Sequence, residues 1–234
     1  MTWNPEDQNW ELVSTEMHHK GFALVRSVLT DAECEGLKAE YDKVEAYRKT
    51  VVMERYRFGV GEYKYFDYPL PGIVGELRTS VYPKLAPIAE TWFSALRLQG
   101  VFPPTHAGFL EQCRRRGQQK AAPLILKYGK GGFNTLHQDL YGEVYFPMQA
   151  VLFLSRPGTD YTGGEFVMIR QVPRAQSRAI VLKPGKGDML IFTTQFKPGK
   201  GIRGYYRIGM KHGVSEVMSG ERFTLGIIFH DAVS

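Results

Sequence analysis

From residue 124 to its C-terminus the chain is a succession of apolar runs, each long enough for one strand and too short for an ordinary helix. They are LILKY (124–128), PMQAVLFLS (147–155), GEFVMI (164–169), RAIVLK (178–183), DMLIFT (188–193), Lys211 to Val217, and RFTLGIIFH (222–230). Glycine and proline punctuate the gaps. No helical period separates one run from the next, which argues against parallel strands joined by crossover helices. Seven short antiparallel strands bury their apolar faces by folding into two facing sheets. The expected core is a jelly roll over 123–234.

The preceding 122 residues read as a mixed, largely helical elaboration of that core. A helix is expected at 6–19, a strand at 21–28, and a second helix that Thr30-Asp-Ala-Glu33 opens as a capping box and that runs to about Glu45. An Arg- and Tyr-rich segment follows at 54–71. A long helical pattern then spans about 73–98, which Pro83 and Pro87 must interrupt or bend. At 234 residues the chain is long for one core and short for two, so the reading is a single domain, mainly β with N-terminal helices (α+β).

No run approaches the roughly 18 apolar residues that span a bilayer, so no membrane association is expected. The start, MTWNPEDQNWEL, is acidic and polar where a secretory signal is basic and then apolar, which predicts a cytoplasmic protein. Cys34 and Cys113 lack metal-ligand spacing and read as reduced core thiols. The net charge of +6 is unevenly placed: residues 1–100 hold 12 Lys/Arg against 15 Asp/Glu, and residues 101–234 hold 18 against 9. A positive field concentrated on the C-terminal part favours anionic partners.

The chemistry centres on His137-Gln138-Asp139, with His212 lying 73 positions beyond Asp139. In extended chain, residues i and i+2 share a face, so His137 and Asp139 can offer an imidazole and a carboxylate to one ion. His212 supplies a third ligand, and two histidines with one carboxylate hold iron while leaving coordination positions open. Ten residues beyond His212 stand Arg222 and, at i+2, Thr224. A guanidinium deep in a jelly roll beside the metal can grip the distal carboxylate of 2-oxoglutarate through two charge-assisted bonds, with the threonine hydroxyl beside it. Tyr128 can add a third hydrogen bond. His18, His19, His106 and His230 lack such context and read as structural, and Glu165 reads as a strand or turn residue.

As an ordered set, Tyr128, His137-Gln-Asp139, Gly163-Gly-Glu-Phe166, Gly187-Asp188, His212 and Arg222-Phe-Thr224 resemble the Fe(II)/2-oxoglutarate dioxygenase superfamily over about residues 124–230. The resemblance implies a double-stranded β-helix, Fe(II) as metal, and 2-oxoglutarate and O2 as cosubstrates, with hydroxylation of a C–H bond as the outcome. On an N-methyl group, that hydroxylation becomes demethylation. Within the superfamily the chain is similar to a group of bacterial oxygenases predicted to act on alkylated DNA. HQD and RFTL echo AlkB-type repair dioxygenases, although Leu126 and Ile228 stand where that pattern has asparagine and a second arginine. YGKGGFNTLHQD and GGEF equally resemble prolyl 4-hydroxylases, which usually have lysine in place of Arg222.

Candidate substrate residues come from cations interleaved with aromatics, the pattern of a nucleic-acid groove. A basic loop, QFKPGKGIRGYYRIGMK, leads into His212 and offers Lys197, Lys200, Arg203, Tyr205, Tyr206, Arg207 and Lys211 with no acid among them. Arg55, Arg57, Tyr63 and Tyr65 form a second such segment, Arg114 to Arg116 a third, and Tyr141 follows the HQD. The expected function is oxidative dealkylation of damaged nucleic acid. The alternatives are a hydroxylase of a protein residue or small anionic metabolite, and a non-enzymatic jelly-roll module that has kept a metal.

Overall fold

The structure is a computed structural model, describing residues 3–139 and 142–234. Helix α1 (Trp10–Lys20) is capped by Asn9, whose side chain accepts from Leu12 N, and ends at Gly21 in the left-handed region. Strand β1 (Phe22–Val25) leads to α2 (Asp31–Ala39), where Thr30 and Glu33 close the expected capping box. This helix stops six residues short of Glu45, and the chain continues in 3-10 turns. Next come β2 (Tyr47–Val52), β3 (Gly59–Val60) and β4 (Glu62–Phe66), then α3 (Gly72–Ala95) and α4 (His106–Arg115).

Pro83 and Pro87 lie inside α3, which continues through both. Each removes one backbone donor, and the burial of Val81, Tyr82, Leu85, Ile88 and Trp92 on this helix offsets the loss.

The remaining strands are β5 (Leu124–Tyr128), β6 (Phe133–His137), β7 (Met148–Phe153), β8 (Tyr161–Gly163), β9 (Phe166–Gln171), β10 (Arg178–Leu182), β11 (Met189–Thr193), β12 (Phe196–Gly201), β13 (Gly204–Val214), β14 (Val217–Gly220) and β15 (Arg222–Ile227). Among the described residues one sheet has the order β1-β11-β7-β15-β5-β4-β2, and a second runs β10-β9-β13-β6-β3 with β12 attached to β13. Every pairing in the two sheets is antiparallel. This is the jelly-roll core expected from the runs, with helices added before it.

Strands β7 and β11 are buried on both faces, which is why their sequences show no alternation. Ala150, Leu152, Leu225 and Ile227 face outward and pack with α3 residues such as Leu77, Val81 and Leu85. Val151, Phe153, Leu190 and Phe192 face inward, toward Phe166, Met168 and Met210 of the second sheet.

Two readings of the sequence are corrected. The basic segment before His212 is not a loop but the hairpin β12–β13, paired from Phe196↔Gly209 to Gly201↔Gly204. Its glycines and Pro198 look like loop chemistry, yet β12 pairs on one side only, where proline costs no ladder bond. The Arg- and Tyr-rich segment at 54–71 contributes β3 and β4, and β4 pairs directly with β5, so the sheet extends into the N-terminal residues. No helix among the described residues is long and apolar enough to cross a membrane.

Candidate metal centre and cosubstrate pocket

His137 ends β6, and His212 sits opposite it on β13 as a Cα pair in the ladder. The two rings are 4.3 Å apart at their centroids. Asp139, two residues on, turns back between them: its Oδ1 is 3.5 Å from His137 Nε2 and its Oδ2 is 3.4 Å from His212 Nε2. One ligand atom from each residue lies within 4.8 Å of the others.

Neighbouring groups fix each member of this cluster. His137 Nδ1 lies 2.7 Å from Thr135 O, which assigns the ring proton to Nδ1 and turns the Nε2 lone pair toward Asp139. The His212 ring is stacked with Phe166 (5.9 Å, 9°) and tilted against Phe192 (4.7 Å). Burial, then the neighbouring His212, holds His137 below its usual pKa and so in the neutral, metal-binding form. Burial pushes the Asp139 carboxyl up, but the hydrogen bond from His212 and the electrostatic influence of the two neighbouring imidazoles outweigh it and leave the group at about 2. Two imidazole nitrogens converging on an ionised carboxylate are a donor set that a divalent cation satisfies.

The middle residue of HQD is more than a spacer. Gln138 Nε2 donates to Gln195 O at 2.7 Å and to Met210 O at 2.8 Å, while Gln195 Nε2 donates to Asp139 O at 3.4 Å. The base of the β12–β13 hairpin is thereby tied to the segment that carries two of the three ligand candidates.

Arg222 lines the same cavity from β15, opposite Tyr128 on β5. It is 1% exposed, and among the described residues its Nε and both Nη atoms meet no hydrogen-bond partner of good geometry. Its neighbours there are the rings of Tyr128, Phe153 and Tyr161, at 5.4, 5.5 and 6.0 Å, and the Tyr161 hydroxyl lies near enough for the guanidinium to oppose the rise that burial gives its pKa. A buried guanidinium with three unpartnered nitrogens is costly unless an anion completes it, so the residues fit a carboxylate-bearing cosubstrate. Thr224 and Leu126, the next inward-facing pair, line the cavity beside it. Tyr128 is fully buried, accepts a bond from Asn134 Nδ2 at 3.4 Å, and is pushed by burial to a pKa of about 12, so its own proton remains available to an anion.

The Gly163-Gly164 pair of the GGEF run serves this arginine. Both glycines have positive φ (72° and 61°), and a Cβ at Gly164 would come within 2.9 Å of Arg222 Cδ. Asp188 of the Gly-Asp pair is structural: it accepts from Ser27 N, Gly185 N and Arg26 Nη1. Glu165 bonds Ser215 and pairs with Lys183. The four remaining histidines stand apart: His18 accepts from Trp92, His106 contacts Phe229 O, His230 accepts from Phe146 N, and His19 is exposed.

The substrate candidates divide. Tyr63 and Tyr65 line the cavity, edge to face at 5.5 Å. Arg55 and Arg57 are exposed, next to the cavity-lining Phe58. Lys200, Arg203 and Tyr205 are exposed at and beside the hairpin tip. Tyr141 lies outside the described residues. Lys197 is not a surface cation: it is 4% exposed and donates to His18 O and Pro198 O. The Arg114–Arg116 cluster is paired locally, Arg114 and Arg115 sharing Glu111 and Arg116 meeting Glu143, which leaves it one net positive charge.

Sequence reasoning passed over Phe58, Asn134 and Gln149, which also line the cavity. Gln149 had a visible signal, as the lone amide in an otherwise apolar strand. It is 7% exposed, near enough to Asp139 to help lower its pKa, yet its Nε2 closes no hydrogen bond.

Three candidate metal donors and an anion-seeking arginine at opposite sheets of a jelly roll fit an oxygenase of the Fe(II)/2-oxoglutarate class, with O2 as the second cosubstrate. Residues 61–232 match the nucleic-acid oxygenase family described as catalysing oxidative methylation of damaged DNA, and the chain belongs to that family. It is an enzyme family, which removes the reading of a binding module. An uncharacterized protein of Mycobacterium tuberculosis, found in strains H37Rv and CDC 1551, is 44% identical over 167 residues, 71% of this chain and 72% of that one. Among solved structures the fold is similar to a Pseudomonas putida prolyl-4-hydroxylase (TM-score 0.57, 15% identity, 94% of this chain and 97% of that one). It is also similar to a 2OG-Fe(II) oxygenase family oxidoreductase of Burkholderia pseudomallei (TM-score 0.54, 13% identity, 98% and 95%).

Proposed function

We propose that the protein oxidises N-methyl or other N-alkyl groups on the bases of damaged nucleic acid, with Fe(II) held by His137, Asp139 and His212. The observation that carries the reading is Arg222, a buried guanidinium with no acid beside it among the described residues, in the cavity that also holds the three candidate metal donors. Its fork takes the distal carboxylate of 2-oxoglutarate, Thr224 adds a hydroxyl, and Tyr128 gives the proton that its bond from Asn134 leaves unused. Held at that end, the cosubstrate presents its 2-oxo acid toward the metal donors. Bound iron, with 2-oxoglutarate and O2, supplies the oxidising power for the C–H bond, and succinate and CO2 are the coproducts.

The chain's own contribution is placement and dryness. Phe166 and Phe192 fix His212, Thr135 fixes His137, and Leu124, Leu126, Val151 and Ile228 keep the cavity walls apolar. On an N-methylated base the C–H bond hydroxylated belongs to the methyl carbon, so the chemistry removes that carbon. Its hydroxylated form releases formaldehyde and leaves the amine. The family's description supports a DNA substrate, and so do the exposed Lys200, Arg203 and Tyr205 on a hairpin tied through Gln138 to the ligand segment.

The test is a panel assay with Fe(II), 2-oxoglutarate and O2, reading succinate and formaldehyde together. N-methylated oligonucleotides are expected to give both, and unmethylated ones no formaldehyde. Succinate that rises only with a peptide or a small acid, and never with methylated nucleic acid, would sink the substrate assignment.

A further inference from the structure

Between β2 and β3 the chain makes one 3-10 turn, Met53–Tyr56, and leaves it through Arg57 in the left-handed region (φ 60°, ψ 30°). That conformation is disfavoured for a residue with a Cβ, so the surroundings must impose it. They do: Met53 is fully buried, Phe58 N donates to Met53 O at 3.1 Å, and Thr135 donates to Phe58 O from both its N and its Oγ1 at 2.8 Å. The turn is thus pinned to β6 two residues before His137.

The outcome of this strain is unusual for aromatic side chains. Tyr56 and Phe58 lie stacked, 5.5 Å between centroids and 19° between planes, yet they remain 56% and 40% exposed. Rings of this size ordinarily dominate cores or interfaces. Phe58 borders the cavity of the metal centre, and Tyr56 extends the stack away from it. Arg55 and Arg57 flank the pair, both exposed and in no ion pair among the described residues.

We propose that Tyr56 and Phe58 form a stacking platform for an unpaired base adjacent to the one being oxidised, with Arg55 and Arg57 meeting the neighbouring phosphates. The inference rests on the nucleic-acid reading above and narrows it to single-stranded substrate. In a duplex both faces of every base are covered, so only a splayed base can lie on an exposed ring. Two exposed cations that form no ion pair among the described residues favour a polyanion over an apolar peptide. Position supports the same assignment: a platform continuous with the cavity wall receives the nucleotide next to the one inside.

Binding of a fluorescein-labelled single-stranded deoxyoligonucleotide carrying one N-methylated adenine, followed by anisotropy, tests the platform. Tyr56→Ala is expected to weaken binding roughly tenfold, and Tyr56→Phe, which keeps the ring, to stay within about twofold of wild type. Replacing the base beside the methylated one with an abasic site should cost the wild type a similar factor and cost Tyr56→Ala nothing further. The duplex form of the same oligonucleotide should bind more weakly. Tyr56 is exposed enough for the variant to fold, which thermal unfolding checks.

Wild-type binding with Tyr56→Ala unchanged, or with no coupling to an abasic site on either side, overturns the platform and leaves the nucleic-acid reading standing. A wild type that binds no oligonucleotide at low salt overturns both. An acidic peptide of equal charge that binds with the same dependence on Tyr56 overturns the base assignment in favour of a peptide surface.

Discussion

Replacing Arg222 by methionine should make the unliganded protein more stable and nearly blind to 2-oxoglutarate. The guanidinium is 1% exposed with Nε and both Nη atoms unpartnered among the described residues, so the folded apo protein carries the desolvation cost of a charge that no acid there pairs. One buried unsatisfied group costs about 1–3 kcal/mol, and a charged one more. Its three unsatisfied nitrogens therefore cost roughly 6 kcal/mol, and the desolvated contacts with the rings of Tyr128, Phe153 and Tyr161 together return about 4 kcal/mol of that. Methionine keeps the unbranched stem against Gly164 and Tyr161 without the charge. The net expectation is about 2 kcal/mol of added stability, or roughly 4–8 °C in Tm for a chain of this length.

Affinity moves the other way. A bidentate charge-assisted pair, at about 1.5–3 kcal/mol per bond, leaves with the fork, so binding of 2-oxoglutarate should weaken by about two to four orders of magnitude. Thermal unfolding without cosubstrate and calorimetric titration of 2-oxoglutarate read the two effects separately. A destabilised apo variant would mean that Arg222 is a structural residue with partners. Affinity within about twofold of wild type would mean that the distal carboxylate is held elsewhere. Either result refutes the reasoning.

Other consequences are open to direct measurement. His212→Ala removes one of three converging donors and should lower Mn(II) or Fe(II) affinity by more than about 100-fold in a metal titration, since outer-shell changes alone cost 10–100-fold. Reversing Lys200 and Arg203 to glutamate removes two exposed cations, so the slope of log K against log salt for an oligonucleotide should become shallower by about 2. An unchanged slope places the backbone contacts elsewhere. His106 titrates near 4 in the folded protein because burial, and then Arg78, disfavour its charged form, against 6.5 for the unperturbed group. Between those values the unfolded chain binds more protons, so stability falls as pH drops, by about 2 kcal/mol at pH 5 from this group. His106→Gln, which can still donate to Phe229 O, should flatten that decline in denaturant melts at pH 7 and pH 5. Parallel declines in the two proteins would disprove the assignment.

The convergence of His137, Asp139 and His212 was legible because each step from sequence to geometry is local. An i+2 spacing in extended chain fixes His137 and Asp139 on one side, and the ladder pairing of His212 with His137 does the rest. Arg222 was legible for a different reason: an arginine at the start of a strand as apolar as FTLGIIF is expensive without a partner. The hairpin β12–β13 was not legible, because Phe196-Lys-Pro-Gly-Lys-Gly201 carries the residues of a loop. Its strand character comes from pairing with β13, a tertiary fact that local propensity does not encode. Lys197 failed likewise, since a lysine beside four other cations gives no sign that its amine bonds the end of α1. Neither Tyr56 nor Phe58 stood out, because their exposure depends on a left-handed Arg57 that no residue in the segment announces.

The texture change near residue 123 marks a change in sequence pattern rather than an edge of the sheet. Strand β4 pairs with β5 from Glu62↔Lys127 to Tyr65↔Leu124, and its Tyr63 and Tyr65 line the cavity that Leu124 and Leu126 also line. At the far edge of the sheet, β1 covers β11, the neighbour of the Gln149-bearing strand β7. Residues before 123 therefore supply one wall of the cavity and both ends of the sheet that carries Arg222. Removing them would expose the ladder groups of β5 and β11 and open the cavity to water. Because the low dielectric of that cavity makes an unpaired Arg222 seek a carboxylate, the same truncation would weaken the site's grip on its cosubstrate while leaving every proposed ligand residue in the chain.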